Sequence, residues 1–248
     1  MISEMLSYDF IQRAFLGGVL VSLCAALLGV SLVLKRYSMI GDGLSHVSFG
    51  ALSIAIACGI APLKFAIPVV IVAAFLLLRL AENGKMRSDA AIAMVSASSL
   101  AIGVIVTSLT TGLSTDIYSY MFGSILAMSK DDVVVSGLLS VIVIIMFVAC
   151  YHKIFAVTFD ENFSKATGVK VGMYNTLISI FTAITIVVGI KMMGAMLISS
   201  LIVFPSLTSM RIFKSFKSVT ICSAILSVVN FTIGLICSYG FSIPAGAS

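Results

Sequence analysis

Eight stretches of mainly apolar residues, each about twenty residues long, follow one another along this chain. A helix of about twenty residues spans about 30 Å, which is enough to cross the hydrocarbon core of a membrane. The apolar positions are continuous rather than alternating, so the pattern favours membrane-spanning helices over the strands of a membrane barrel. We predict spans at residues 14–34, 38–58, 63–81, 89–110, 133–151, 173–190, 192–210 and 218–239. The sixth and seventh spans are joined by a tight turn at Lys191.

The composition agrees with a membrane protein. Of the 248 residues, 60% are hydrophobic and only 10% are charged, whereas soluble domains carry about 25% charged residues. No polar stretch is long enough to fold separately, so residues 1–248 are expected to form a single transmembrane domain. The predicted fold class is therefore all-α, a polytopic helical membrane protein of about eight spans in contact with membrane lipid.

Basic residues collect at alternate ends of the predicted spans and indicate the orientation of the chain. Of the 15 Lys and Arg residues, 11 fall on one side, and loops rich in these residues stay in the cytoplasm. The connection at 152–172 would then be cytoplasmic, and both termini would lie outside. The basic residues form no stripe that would bind nucleic acid. The cytoplasmic set is Lys35, Arg36, Arg79, Lys85, Arg87, Lys153, Lys165, Lys170, Arg211, Lys214 and Lys217.

The second predicted span carries an acid and an imidazole near its start. Asp42 and His46 are four residues apart and therefore share one face of a helix. Placing an Asp at the centre of a membrane helix costs about 2.5–3.5 kcal/mol, so such groups persist when they pair, bind an ion or line a water-filled path. A carboxylate and an imidazole suit zinc, manganese or iron, and affinity order alone does not choose among them. The pair is a candidate metal site, and the alternative is a hydrogen-bonded pair that only packs helices.

Two further residues are candidates for an ion pathway. Asp116 lies in the long outer connection 111–132, where it could supply a third metal ligand or could be a solvated loop acid. Pro205 has no backbone N–H and must break one hydrogen bond inside the seventh span. A kink at Pro205 could border a pathway or could serve packing alone, and nearby serines could satisfy the freed backbone groups.

The connection at 152–172 contains signals for both the start and the end of a short helix. Thr158 or Asp160 could cap its N-terminus, and acidic residues occupy its first turn. Gly168 follows at the position where a helix commonly ends. The sequence therefore predicts a short helix in this connection.

The chain lacks the G-x-x-x-x-G-K-[ST] loop that binds nucleotide phosphates, because no glycine stands at the required place before Gly84 and Lys85. If ATP drives this protein, another subunit must hydrolyse it. An intramembrane protease is the enzyme alternative. Ser45 and His46 are adjacent, however, and point about 100° apart on a helix. They cannot form a nucleophile–base pair within that helix, so the sequence favours a transport protein over an enzyme.

Four motifs together resemble those of the permease subunit of the bacterial zinc/manganese-type ABC importers. One of them is the short helix in the 152–172 connection, which is similar to the cytoplasmic coupling helix that docks on an ATPase. Its matching residues are Phe159, Asp160, Phe163, Ala166 and Gly168. The other three are 32–36 (LVLKR) followed by 40–46 (IGDGLSH), then 120–126 (YMFGSIL), and 194–205 (GAMLISSLIVFP).

This resemblance implies a homodimeric permease of the bacterial plasma (inner) membrane. Its partners would be two copies of an ATP-binding subunit and an extracytoplasmic metal-binding protein. Asp42 and His46 would form a transient site for the transported zinc, manganese or iron, and no cofactor would be bound permanently. Family members usually continue past the position of Ser248 into a further apolar helix, which leaves the total helix count open. The alternative function is a stand-alone secondary metal transporter driven by an ion gradient, which would need no docking helix.

Overall fold

The computed structural model describes residues 9–82, 88–110, 130–241 and 243. The apolar stretches in these ranges are helical, as lipid requires, because a helix satisfies its backbone hydrogen bonds within the segment. The predicted all-α class is confirmed. The helices are α1 (Asp9–Leu34), α2 (Ile40–Ala57), α3 (Pro62–Glu82), α4 (Ser88–Leu109), α5 (Lys130–Ala149), α6 (Tyr151–Phe159), α7 (Glu161–Ala166), α8 (Val171–Met193), α9 (Ala195–Ile212) and α10 (Phe216–Phe241).

Among the described residues, 6 helices are long and apolar enough to cross a membrane: α1, α2, α4, α8, α9 and α10. The helices α5 and α6 meet at an angle of 71° and would add a seventh span if they cross together. The apolar part of α3, Pro62–Leu77, is shorter. A polytopic helical membrane protein is thus confirmed, while the count of eight spans stays a prediction.

The tight turn predicted at Lys191 lies at Gly194 instead. Helix α8 continues to Met193, and α9 begins at Ala195. Gly194 has a φ of +89°, a conformation that glycine adopts without steric cost. Lys191 lies in the last turn of α8, where a positive charge interacts favourably with the helix dipole. The prediction of a turn at Lys191 was wrong because this lysine, although it separates two apolar runs, stabilises the last turn of α8 and does not end the helix.

Helix α1 packs against α5, α8, α9 and α10, and α2 packs against α3, α4, α8 and α9. The inward residues of α1 are small or of medium size, and Val21, Cys24 and Ala25 are fully buried. At Gly29 the backbones of α1 and α9 nearly touch, since a Cβ there would stand 2.1 Å from the carbonyl oxygen of Ile202. Small residues permit such close approach of membrane helices. The helix that carries Asp42 packs against α9, which is itself tightly packed on α1.

Candidate functional site

The acid–imidazole pair predicted from the sequence lies at the start of α2. Asp42 is in the first turn of that helix, where a carboxylate also interacts favourably with the helix dipole. Its Oδ2 lies 3.8 Å from Nε2 of His46, one helical turn further along. The structure thus brings the two candidate ligands together on one face of α2.

The neighbouring face of α2 packs against α9. The hydroxyl of Ser45 donates to the carbonyl oxygen of Gly41 at 2.7 Å, and its Oγ lies 3.1 Å from Oγ of Ser199 in α9. Ile202 fills the space beside Gly41, with its Cδ1 3.3 Å from the place that a Cβ would occupy. Residues one position further along a helix point about 100° away, so this packing leaves Asp42 half exposed and His46 partly exposed, at 51% and 23%.

The pair lies within the candidate span Ile40–Ala57, close to its first residue. Ile202 contacts the positions of both Gly29 in α1 and Gly41 in α2, which places these two glycines at a similar level. Gly29 stands about 7–8 Å from the end of α1 along the helix axis. At this depth the side chain of Asp42 is 51% exposed in the single chain. A carboxylate in such a place faces water, an ion or another protein rather than lipid.

Two donor atoms at this spacing can bind one metal ion. Zinc binds imidazole nitrogen at about 2.0–2.1 Å and carboxylate oxygen at about 2.0–2.2 Å, so atoms 3.8 Å apart are both within its reach. The described part of the chain holds no group of 3 or more His, Cys, Asp or Glu that could bind a metal. Asp116, the predicted third ligand, and the motif at 120–126 lie outside the described residues. Asp116 as a third ligand stays a prediction.

The short helix predicted in the 152–172 connection is present as α7. Its cap is Asp160 rather than Thr158, because the carboxylate of Asp160 accepts a hydrogen bond from the N–H of Phe163 at 2.9 Å. Gly168 has a φ of +81°, the left-handed conformation in which many helices end. Both ends of α7 are therefore fixed by local contacts that the sequence indicated.

Helix α7 exposes its apolar residues and buries a polar one. Phe159, the last residue of α6, is 59% exposed, Phe163 of α7 is 64% exposed, and Ala166 is exposed as well. Ser164 is fully buried against the helix bundle. Large exposed aromatic side chains are enriched where proteins bind one another. The surface formed by Phe159 at the end of α6 and by Phe163 and Ala166 of α7 has the character of a docking surface.

A polar network at the base of α7 was missed by the sequence reasoning. Nζ of Lys35, just after α1, donates to Oε1 of Glu161 at 2.8 Å and to Oδ1 of Asn175 in α8. Nδ2 of Asn175 donates to the same Glu161 oxygen at 3.1 Å. The three residues are not neighbours in the chain, and the sequence identified Lys35 only as a residue that sets orientation and as part of the motif at 32–36. The sequence offered one signal for this network, an acid (Glu161) in the first turn of a loop helix and a lysine (Lys35) at the end of a spanning helix.

The carboxylate of Glu161 is held in its charged form. Burial alone would raise the pKa of Glu161, but hydrogen bonds from Lys35 and Asn175 oppose this, and so do the charges of Lys35 and Lys165. The net effect lowers the pKa of Glu161 below its ordinary value. The network is therefore an ion pair at neutral pH, with a neutral amide completing it.

Pro205 lies within α9, which continues on both sides of it. The following hydroxyls bond within the helix: Ser206 donates to the carbonyl of Ile202 at 2.9 Å, and Ser209 donates to that of Pro205 at 2.7 Å. Pro205 is buried, and Ser206 also lies 3.3 Å from Ser223 of α10. These contacts place Pro205 in the packing between helices, and a role in the pathway stays a prediction.

Comparison with known families decides between the classes of transporter that the sequence left open. The model of the family described as "ABC 3 transport family" matches residues 7–248. The chain belongs to the ABC 3 transport family. As a member it is a multi-pass membrane permease of an ABC transporter rather than an enzyme, and the resemblance seen in the sequence is confirmed.

Relatives of this ABC 3 permease are similar over nearly the whole chain. A "High-affinity zinc uptake system membrane protein ZnuB" of Buchnera aphidicola is 30% identical over 97% of this chain and 92% of its own length. A "Manganese import system permease protein ScaB" of Streptococcus gordonii is 27% identical over 97% of this chain and 86% of its own. The solved structure of PsaBC from Streptococcus pneumoniae in complex with Fab superimposes with a TM-score of 0.87 at 26% identity, covering 100% of this chain and 90% of the other.

Proposed function

We propose that this ABC 3 permease moves a divalent transition-metal ion, zinc or manganese, into the cytoplasm, and that Asp42 and His46 bind the ion briefly on its way. One observation carries the proposal: two metal-binding side chains lie 3.8 Å apart on a partly exposed face of a membrane helix. The choice of metals is supported by relatives named for zinc uptake and for manganese import.

The energetics of the site favour weak binding. A charged ligand is costly at membrane depth, and a bound cation offsets part of that cost by neutralising Asp42. An ion that crosses must also leave, so a tight site would stop transport. His46 binds a metal only when its imidazole is neutral, so acid weakens the site. We therefore expect brief occupancy and uptake that declines as the pH falls.

A second copy of the chain would complete the site. In the single chain, Asp42 is half exposed although it lies within the spanning region. Such exposure to lipid is unfavourable, which supports a partner on this face of α2. We place a second permease chain there, so that the two copies together enclose the path of the ion.

Energy would come from an ATP-binding subunit docked on α7, with two copies serving the two permease chains. The exposed residues Phe159, at the end of α6, and Phe163, in α7, support this docking. Asp160 lies between them and caps α7, which fixes the position of Phe163. On this reading α7 faces the cytoplasm and 1–248 is one transmembrane domain. A metal-binding protein on the outer side would deliver the ion to the mouth of the path.

The test is ATP-dependent metal uptake by the complete complex in lipid vesicles, with zinc, manganese and iron supplied in parallel. Asp42→Asn and His46→Ala should each abolish uptake while the permease still assembles with its ATPase. His152→Ala is the matched control, since His152 is the other histidine and lies exposed on α6. It should transport as the unaltered protein does.

Three outcomes would contradict the proposal in different ways. Normal uptake by both Asp42→Asn and His46→Ala would remove the pair from the path. Loss of folding in both variants, with uptake per folded molecule retained, would show that the pair only packs helices. Uptake that needs an ion gradient but no ATP would instead indicate a secondary transporter.

A further inference from the structure

The network around Lys35 joins three parts of the chain that have different tasks. Lys35 follows α1, Glu161 opens α7, and Asn175 belongs to α8. The Lys35 side chain is only 9% exposed, while that of Glu161 is 40% exposed. Removing one partner from a buried ion pair leaves an uncompensated charge, which is strongly unfavourable. The buried ammonium of Lys35 would therefore lose its charged partner if Glu161 moved away from it.

The turn after Lys35 connects this network directly to α2. Arg36 has a φ of +62°, a left-handed conformation that non-glycine residues seldom adopt. The N–H of Tyr37 donates back to the carbonyl of Leu32 at 2.8 Å, and the N–H of Ile40 donates to that of Tyr37 at 3.0 Å. Such strained positions persist where the surrounding structure holds them, and they cluster at functional sites. The hydrogen bonds make residues 35–40 a continuous, defined link between α1 and α2.

A small cavity lies between the network and α2. Lys35 and Asn175 form part of its wall, and Ile40 and Leu44 of α2 form another part. Ile40 and Leu44 flank Asp42 in the sequence. Lys35 and α2 thus border the same space, and the hydrogen-bonded turn is the connection through which a shift of Lys35 would reach α2.

We propose that Lys35 is a positioning residue: held by Glu161 and Asn175, it sets the position of α2, and with it Asp42, according to the position of α7. This inference rests on the proposed docking of an ATPase on α7. It adds the route by which that docking reaches the metal ligands. Lys35 contacts no ion itself and acts through the turn at 35–40.

A network that only anchors α7 to the bundle would behave differently from a coupling network. An anchor affects how much ATPase associates, but each associated complex would still move its usual amount of metal per ATP. A coupling network affects the amount of metal moved per ATP hydrolysed. The ratio of metal uptake to ATP hydrolysis therefore separates the two roles.

The experiment measures that ratio in the vesicle-reconstituted complex, with zinc and manganese as the ions. Lys35→Met removes the charge but keeps an unbranched apolar stem of similar length. The expected result is normal association with the ATPase, continued ATP hydrolysis and a fall of about tenfold in metal moved per ATP. The exchange Lys35→Glu with Glu161→Lys should recover part of the ratio because it restores an ion pair. Lys170→Met is the matched control, an exposed lysine just before α8 whose loss should leave the ratio unchanged.

Two results would overturn the proposal. One is an unchanged ratio in Lys35→Met, and the other is a fall in ATPase association that accounts for the whole loss of uptake. If Lys35→Met does not fold, Glu161→Gln serves instead, because this residue lies on α7 outside the spanning helices. An unchanged ratio in folded Glu161→Gln is equally decisive against the proposal. Failure of the proposed function is a separate outcome, seen when the unaltered complex hydrolyses ATP without moving either metal.

Discussion

Replacing Gly29 by alanine is expected to push α1 and α9 apart. The added Cβ would stand 2.1 Å from the carbonyl oxygen of Ile202 and 2.7 Å from Oγ of Ser206, whereas ordinary contact begins at 3.4 Å. The shortfall at the carbonyl is about 1.3 Å, the difference between 3.4 Å and 2.1 Å. A flexible side chain could turn aside, but the nearest atom belongs to the backbone of α9. The two helices must therefore separate locally.

Overpacking of this kind costs about 1–3 kcal/mol, and a rigid backbone neighbour favours the upper part of that range. For a chain of this size each kcal/mol lowers the melting temperature by about 2–4 °C. The consequence also reaches the metal ligands, because Ile202 packs against Gly41 beside Asp42. Gly29→Ala should thus lower both the melting temperature of the purified permease and its ATP-dependent metal uptake.

The assay is thermal unfolding of the permease in detergent, followed by the loss of the monodisperse species. Gly137→Ala is the matched control, since it adds the same methyl group to the spanning helix α5. There the nearest atom is Cδ1 of Leu20 at 3.9 Å, an ordinary contact. Gly137→Ala should leave the melting temperature unchanged or raise it slightly. Equal melting temperatures for the two variants would refute the argument that α1 and α9 touch through Gly29.

Two further predictions concern α7. Asp160→Ala removes the cap and should destabilise α7 by about 1 kcal/mol, which would be seen as faster amide exchange at 161–167 and weaker retention of the ATPase. Asn162→Ala, at an exposed position of α7, is the control. Equal amide exchange in the two variants would show that the cap is unimportant. The stability difference between the unaltered permease and Glu161→Gln should be constant above pH 4.5, the ordinary pKa of a Glu, and should vanish as the pH falls through the lower folded pKa of Glu161. The stability difference is lost in acid because a lowered pKa stabilises the fold only while the carboxylate of Glu161 is charged. A stability difference that grew as the pH fell would contradict this prediction.

The helices of this chain could be predicted because lipid leaves few alternatives. A backbone in hydrocarbon must satisfy its hydrogen bonds within the segment, so each long apolar run becomes a helix. The pairing of Asp42 with His46 could be predicted as well, since residues four apart on a helix are neighbours whatever surrounds them. The cap at Asp160 and the stop at Gly168 are equally local. All of these features depend on spacing within a few residues.

Features that depend on contacts between distant parts of the chain could not be predicted. The partners of Lys35 lie 126 and 140 residues away, and no local pattern indicates them. The contact between Ser45 and Ser199 joins residues 154 apart, so the packed face of α2 was equally hidden. The turn was predicted at Lys191 rather than at Gly194 for a different reason. A lysine is favourable in the last turn of a helix as well as in a loop, so its position alone does not show where the helix ends. The sequence thus identified the candidate ligands but not the contacts that hold their helix.

Those contacts bear on how an ion could be admitted and released. On one side of α2, Ile202 of α9 fills the space beside Gly41. On another side, Ile92 of α4 fills the space beside Gly43, with its Cγ2 2.6 Å from the place of a Cβ. The turn that carries Asp42 is therefore held from two directions while the ligand face stays partly exposed. Close packing resists local distortion, so we expect Asp42 and His46 to move when α2 moves as a whole. Lys35 lies in the turn before the first residue of α2, on the side from which a movement of α7 would reach that helix.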